Sequence, residues 1–247
     1  MTSRLVLAMP AYNEERALPA LLEAAARDLA GLPYEVVVVD DGSTDRTAEV
    51  VREHAAKLPV TLVPHPKNLG LAAGIRTCLA EGARRAGDDG WVVTMDADNT
   101  HPPAQIKSMP LDGSCDLCVV SRYAPGAKID GVGPGRKALS EVASFVLRTL
   151  FPVPGVRDYS SGYRAYRGAL LNRALARHGE RLIESEGFAV QVEVLLKLAP
   201  LGMRGTEIPI DLQYGRKPTP SKARMLHTAV DLARVMRRAL FSRTSAP

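Results

Sequence analysis

The feature that most constrains this chain is a repeated alternation of short, solidly apolar runs with stretches of helical spacing. Leu5–Met9, Val36–Val39, Val60–Val63, Trp91–Met95 and Leu117–Ser121 are the apolar runs. A continuous run, rather than every second residue apolar, marks a strand covered on both faces. Between the runs, Leu18, Leu21, Leu22, Ala25 and Leu29 recur at helical spacing, and Leu71–Ala86 does the same. Gly31 and Pro33 end the first of these helices, for which Asn13 reads as the N-cap; Ser43 or Thr44 reads as the cap of a second, running to Lys57. Strands and helices alternating at this spacing predict an α/β fold: a mostly parallel sheet with helices on both faces.

The second half is less regular. Residues 123–134 are rich in Gly and Pro and read as a loop, followed by a helix over 136–151, an edge strand over 163–166 and a helix to about Arg177. A helix over 188–199, a last strand over 205–210, a Pro-containing loop over 211–224 and a basic amphipathic helix over 225–240 complete the chain. No composition break marks an independent second domain. Residues 1–222 read as the main domain, and 223–247 as a basic C-terminal helix and tail of the same unit.

The chain has 247 residues, enough for one large domain, and a formal net charge of +5. From Arg216 to Arg243 there are eight Lys/Arg and one acid, Asp231, so this segment alone carries +7. A polyanionic partner suits such a surface. Aromatics make up 5% of residues, which argues against a stacking platform for nucleic acid, and no helix-turn-helix or zinc pattern is present. The three cysteines, Cys78, Cys115 and Cys118, are too few for a disulfide framework and suit a reducing cytoplasm. No signal peptide and no apolar run of roughly 18 residues is present. A membrane, if involved, is met at its cytoplasmic face by the C-terminal helix. Packing of that helix on the sheet is an equal alternative.

Chemistry concentrates where strands end. Asp96-Ala97-Asp98 follows an apolar strand at its carboxyl end, the edge where open α/β sheets bind ligands. Two carboxylates two residues apart can face one divalent cation there, and an oxygen site suits Mg²⁺ or Mn²⁺. A solvated acidic turn is the plainer account of a bare Asp-x-Asp. Three further strand ends converge on that edge: Pro10-Ala-Tyr12-Asn13-Glu14, Asp40-Asp41-Gly42-Ser43-Thr44-Asp45 and Ser121-Arg122-Tyr123. Tyr12 can flank a base, Glu14 or Asp41 can accept from base or ribose, and Arg122 can pair with phosphate.

Together with Asn68-x-Gly70, these segments resemble the family 2 glycosyltransferases, which have the GT-A fold. Asp158-x-Ser160-Ser161-Gly162-Tyr163-Arg164, Gly187-Phe188-x-x-Gln191-x-Glu193 and Arg216-x-x-x-x-Ser221-Lys222 resemble the dolichol- and polyprenyl-phosphate mannose synthases within it. The resemblance implies that Pro10, Tyr12, Glu14, Val39 and Asp41 contact the nucleoside. It implies that Asp96, Ala97 and Asp98 serve the diphosphate and a divalent metal (Mg or Mn), with Asp98 the direct ligand. Arg122, Arg216 and Lys222 then contact phosphates, and Arg136 and Ser140 approach the acceptor. The implied donor is a nucleotide sugar, GDP-mannose foremost, and the implied acceptor a polyprenyl or dolichyl phosphate. One departure stands out: the family reads Asp-x-Asp-Leu-Gln-His-Pro with Gln near the metal, and this chain has Asn99-Thr100-His101-Pro102 after Asp98. Asn99 and His101 are the substitutes at hand.

Inverting transfer to a lipid phosphate needs no strong base, because the acceptor is already anionic. Transfer to a neutral hydroxyl needs one, and Asp158 or Glu193 is available for it. Three other readings compete: a glycosyltransferase acting on a small-molecule or glycan acceptor, a nucleotidyltransferase using Leu71–Thr77 as a Gly-rich loop, and a non-catalytic anionic-ligand-binding module.

Overall fold

A computed structural model of the chain describes residues 4–130, 134–187, 189–213 and 225–244. The strands are β1 Leu5–Ala11, β2 Tyr34–Asp40, β3 Val60–Pro64, β4 Trp91–Thr94, β5 Leu117–Ser121, β6 Lys128–Asp130, β7 Arg164–Arg167, β8 Gly205–Pro209 and β9 Asp211–Gln213. The helices are α1 Leu18–Asp28, α2 Thr47–Ala55, α3 Leu71–Ala86, α4 Pro134–Leu150, α5 Gly168–His178, α6 Ala189–Leu198 and α7 Met225–Thr244. The seven-stranded sheet has the order β3-β2-β1-β4-β7-β5-β8, and β6 pairs with β9 in a separate ribbon.

The Val-rich runs place alternate residues in two cores, one on each face of the sheet. Val6, Ala8, Val37, Val39, Val92, Leu117 and Val119 pack with α3, α5 and α6 on one face. Leu5, Leu7, Met9, Val36, Val38, Trp91, Val93, Cys118 and Val120 pack with α1 and α2 on the other. This is the expected mostly parallel sheet with helices on both faces. The strand expected at an edge is instead central: β7 lies between β4 and β5 and is antiparallel to both. Ala165 and Tyr166 are buried there on opposite faces, a pattern that four residues alone do not distinguish from an edge strand.

Helix α7 is amphipathic, as expected, and turns one apolar face to the core. Leu232, Val235, Met236 and Ala239 meet the core, whereas Ala233 and Leu240 face solvent. Arg238 stands 3.8 Å from Glu193 on α6 and 3.9 Å from Glu184. Among the described residues no helix is long and apolar enough to cross a membrane.

Candidate active site

Because β1, β2, β4, β5 and β8 run in one direction, their carboxyl ends share an edge, and antiparallel β7 begins at that edge. Residues 10–14, 40–45, 96–101, 121–123 and 158–163 therefore meet on one rim, where such sheets bind ligands.

The β1 and β2 ends are stapled together. Asn13, in a left-handed conformation (φ 55), donates its backbone N–H to Ser43 Oγ at 2.9 Å and accepts from Thr44 N at 2.9 Å through Oδ1. Glu14 N donates to Thr47 Oγ1. These side chains tie two loops instead of capping helices: α1 begins at Leu18 after Ala17 and α2 at Thr47 after Arg46, neither with a side-chain cap.

Asp41, 4% exposed, is held on all sides by the loop before α3. Its Oδ1 accepts from His65 Nδ1 at 2.7 Å and from Leu69 N at 3.0 Å, and Oδ2 accepts from Gly70 N at 2.8 Å. With Nδ1 donating, His65 Nε2 accepts from Thr77 Oγ1 at 2.9 Å. Gly42 permits this closure. It has φ 67, and a Cβ there would lie 2.2 Å from Lys67 C. His65 has no sequence motif to announce it. Pro10 is covered by α3, since a Cβ on Gly74 would lie 2.9 Å from Pro10 Cβ. Gly74 thus serves close helix–strand packing inside a helix rather than a phosphate loop. Tyr12 and Glu14 are half-buried on the rim, while the Val39 and Ala97 side chains are in the core.

Beyond β4 the chain kinks at Asn99, also left-handed (φ 62), and folds His101 back. Ligand atoms of Asp96, Asp98 and His101 all lie within 4.8 Å of one another. Two carboxylates and an imidazole at this spacing fit a divalent cation such as Mn²⁺. Thr100, where the family has Gln, donates its Oγ1 hydrogen to Asp98 Oδ1 at 2.6 Å and orients that carboxylate. The His101 ring rests edge-on against Tyr163, centroids 5.2 Å apart, and Tyr163 OH donates to Pro102 O.

At the end of β5, Arg122 is engaged by Asp158, which is fully buried. Asp158 accepts from Arg122 N, Nε and Nη2 and from the backbone N–H groups of Ser160 and Ser161. Burial raises its pKa, but the Arg122 bonds and charge outweigh that and hold it below the usual carboxylate range. Arg122 Nη2 also donates to Ser160 Oγ at 2.6 Å. Glu193 is similar: burial raises it, while Lys197, Ser185 and Glu184 donate and the net shift is downward. Both acids are thus saturated with donors and poorly suited to remove a proton. The guanidinium carbons of Arg122 and Arg148 each lie 5.6 Å from the Tyr123 ring, beside a groove of about 440 Å³ lined by Tyr123, Glu141, Phe145 and Arg148. Arg216 and Lys222 lie outside the described residues, as do the side chains of Arg136 and Ser140.

A model of the family described as glycosyl transferase family 2 matches residues 6–175. The chain belongs to glycosyltransferase family 2. It is 34% identical over 192 residues to a dolichol-phosphate mannosyltransferase of Pyrococcus furiosus, covering 76% of this chain and 51% of that one. It therefore spans about half the length of that relative. It is 30% identical to a polyprenol monophosphomannose synthase of Mycolicibacterium smegmatis, over 85% of this chain and 77% of that one. Identity to an undecaprenyl-phosphate mannosyltransferase of Micrococcus luteus is 34%, over 84% and 82%. Among solved structures, glucosyl-3-phosphoglycerate synthase from Mycobacterium tuberculosis, bound to Mn²⁺, UDP and glucosyl-3-phosphoglycerate, matches with a TM-score of 0.65 at 22% identity, covering 100% of this chain and 81% of that one. TarS of S. aureus with UDP-GlcNAc matches at 0.63 and 21% identity, over 99% and 67%. The sheet order and these likenesses establish the GT-A fold.

Proposed function

We propose that this family 2 glycosyltransferase moves a hexose, mannose from GDP-mannose foremost, onto a polyprenyl or dolichyl phosphate with inversion. The observation that carries this reading is the saturation of Asp158 and Glu193. With both candidate bases engaged by five and four donors or cations, the site suits an acceptor that is already anionic. The mannosyl relatives and the 440 Å³ groove beside Arg122, with Phe145 64% exposed on its wall, support the same acceptor.

Asp96, Asp98 and His101 would hold the divalent cation, which when bound supplies Lewis-acid stabilisation of the departing nucleoside diphosphate. Tyr12, Glu14 and Asp41 line the nucleoside end together with Pro10 and Val39, and Ala97 stands with Asp96 and Asp98 at the diphosphate. Asp41 reaches the base only through lone pairs that His65, Leu69 and Gly70 leave open. Arg122, oriented by Asp158, and the Ser160 hydroxyl meet the acceptor phosphate. Arg216 and Lys222 offset the charge of two phosphates brought together. The basic helix α7 and the exposed Val230 and Leu240 suit attachment at the cytoplasmic face of a membrane holding the lipid.

The test is to incubate purified protein with Mn²⁺, labelled GDP-mannose and polyprenyl phosphate, then extract with organic solvent. Label in the organic phase is the expected result. Label recovered only in water-soluble product, with a small acceptor supplied, would refute the lipid acceptor.

A further inference from the structure

Helix α6 is buried around its whole circumference, so each polar side chain on it needs an explanation. Glu193 has one, in its bonds to Ser185, Glu184 and Lys197. Gln191 does not. Its backbone carbonyl accepts from Arg164 Nη1, but the side-chain Oε1 is buried with no hydrogen-bond partner, and the residue is 7% exposed. A buried amide oxygen left in this state destabilises the folded protein.

The amide is placed at the site. A Cβ built on Gly162 would lie 3.2 Å from Gln191 Nε2 and 3.8 Å from Asp96 Oδ1, so amide and carboxylate approach the same face of Gly162 from two sides. Glycine keeps that space open, and Thr94 Oγ1 fixes the peptide by donating to Gly162 O at 2.9 Å. A ligand whose diphosphate lies at Asp96 carries its sugar beside the diphosphate, one ring's width away. A phosphate oxygen only accepts hydrogen bonds, whereas a sugar hydroxyl both donates and accepts and so can satisfy an amide from either end.

We propose that Gln191 is a specificity-determining residue that reads a hydroxyl of the transferred sugar, across the gap that Gly162 leaves open. This rests on the donor reading above. The side-chain Oε1 is left without a partner in the free protein and gains one on binding, which makes it an orienting contact for the sugar and not for the nucleotide.

Calorimetric titrations with Mn²⁺ compare two matched pairs, GDP with GDP-mannose and UDP with UDP-glucose, for wild type and Gln191→Met. Methionine fills the same volume without a polar atom. The variant is expected to bind the bare diphosphate as wild type does and the nucleotide sugar about tenfold more weakly, the loss of one hydrogen bond. Its melting temperature should stay level or rise, because a buried orphan acceptor is removed. Gly162→Ala should reproduce the selective loss by crowding the amide. Equal binding of the nucleotide sugar by wild type and Gln191→Met overturns the proposal, and so does an equal loss for diphosphate and nucleotide sugar. If wild type binds neither diphosphate, the donor reading fails and this inference falls with it.

Discussion

Arg122 and Asp158 meet side-on, with Nε 2.8 Å from Oδ2 and Nη2 2.7 Å from Oδ1. The pair ties the end of β5 to the loop that enters β7, holding the rim together where a parallel strand gives way to an antiparallel one. Asp158 is fully buried while the Arg122 side chain is 26% exposed, so the carboxylate depends on the arginine more than the reverse. Arg122→Ala leaves a buried carboxylate without its counter-charge and should destabilise the fold by about 3 kcal/mol. Arg122→Ala with Asp158→Asn should recover part of that loss. Urea denaturation of the two single variants and the double variant checks this; additive losses would contradict it.

The same pair sets a pH dependence. In Asp158 and Glu193 burial pushes the carboxyl up, but hydrogen bonds and nearby cations prevail, so each folded pKa lies below its unfolded value. The stability they contribute is complete above the unfolded values, about 3.9 for Asp and 4.3 for Glu, and is lost as pH falls through the folded ones. The urea midpoint should therefore change little on this account above about pH 5 and decline below about pH 4. Asp158→Asn should be less stable at neutral pH but decline less steeply in acid. A variant with the wild-type acid slope would count against this assignment.

Most of the sheet is legible in the sequence because burial on both faces leaves an unambiguous mark: Val36–Val39 and Leu117–Ser121 can be placed by eye. The misplaced elements lack such a mark. Four residues of β7 do not encode a central antiparallel position, since that position is set by neighbours far along the chain. Asn13, Ser43 and Thr44 look like helix caps because a cap and a loop-to-loop staple use the same short polar side chains. The rim residues Asp41, Asp96, Asp98 and Arg122 follow from strand ends. Their supports do not: His65 behind Asp41, Thr100 behind Asp98 and Asp158 behind Arg122 act through distances that only the fold supplies.

His65 makes a testable support. It fills the space between Asp41 Oδ1 and Thr77 Oγ1, joining the end of β2 to α3. His65→Ala removes a hydrogen bond to a charged group, so a loss of about 1.5–3 kcal/mol in stability is expected. Nucleoside diphosphate affinity should fall as well, because Asp41, proposed to meet the nucleoside, is then held only by Leu69 N and Gly70 N. Thr77→Val removes only the outer bond and should cost about 1 kcal/mol. Thermal melts and titration with GDP measure both effects. Unchanged GDP affinity in a folded His65→Ala protein would separate Asp41 from the nucleoside.

The candidate metal site offers a spectroscopic test that does not depend on turnover. Asp96, Asp98 and His101 would supply two oxygens and one nitrogen, and the left-handed turn at Asn99 lies between the aspartates and the imidazole. Imidazole is a better partner for Mn²⁺ than for Mg²⁺, which prefers oxygen throughout. Mn²⁺ bound in the presence of GDP should show nitrogen-14 coupling in pulsed electron paramagnetic resonance. His101→Gln should abolish that coupling while keeping some Mn²⁺ affinity, and should reduce the preference for Mn²⁺ over Mg²⁺. Thr100→Ala acts differently: it frees Asp98 Oδ1 from its 2.6 Å bond and should weaken metal binding without removing the nitrogen signal. Bound Mn²⁺ with no nitrogen coupling in wild type would leave the two aspartates as ligands and remove His101 from the set.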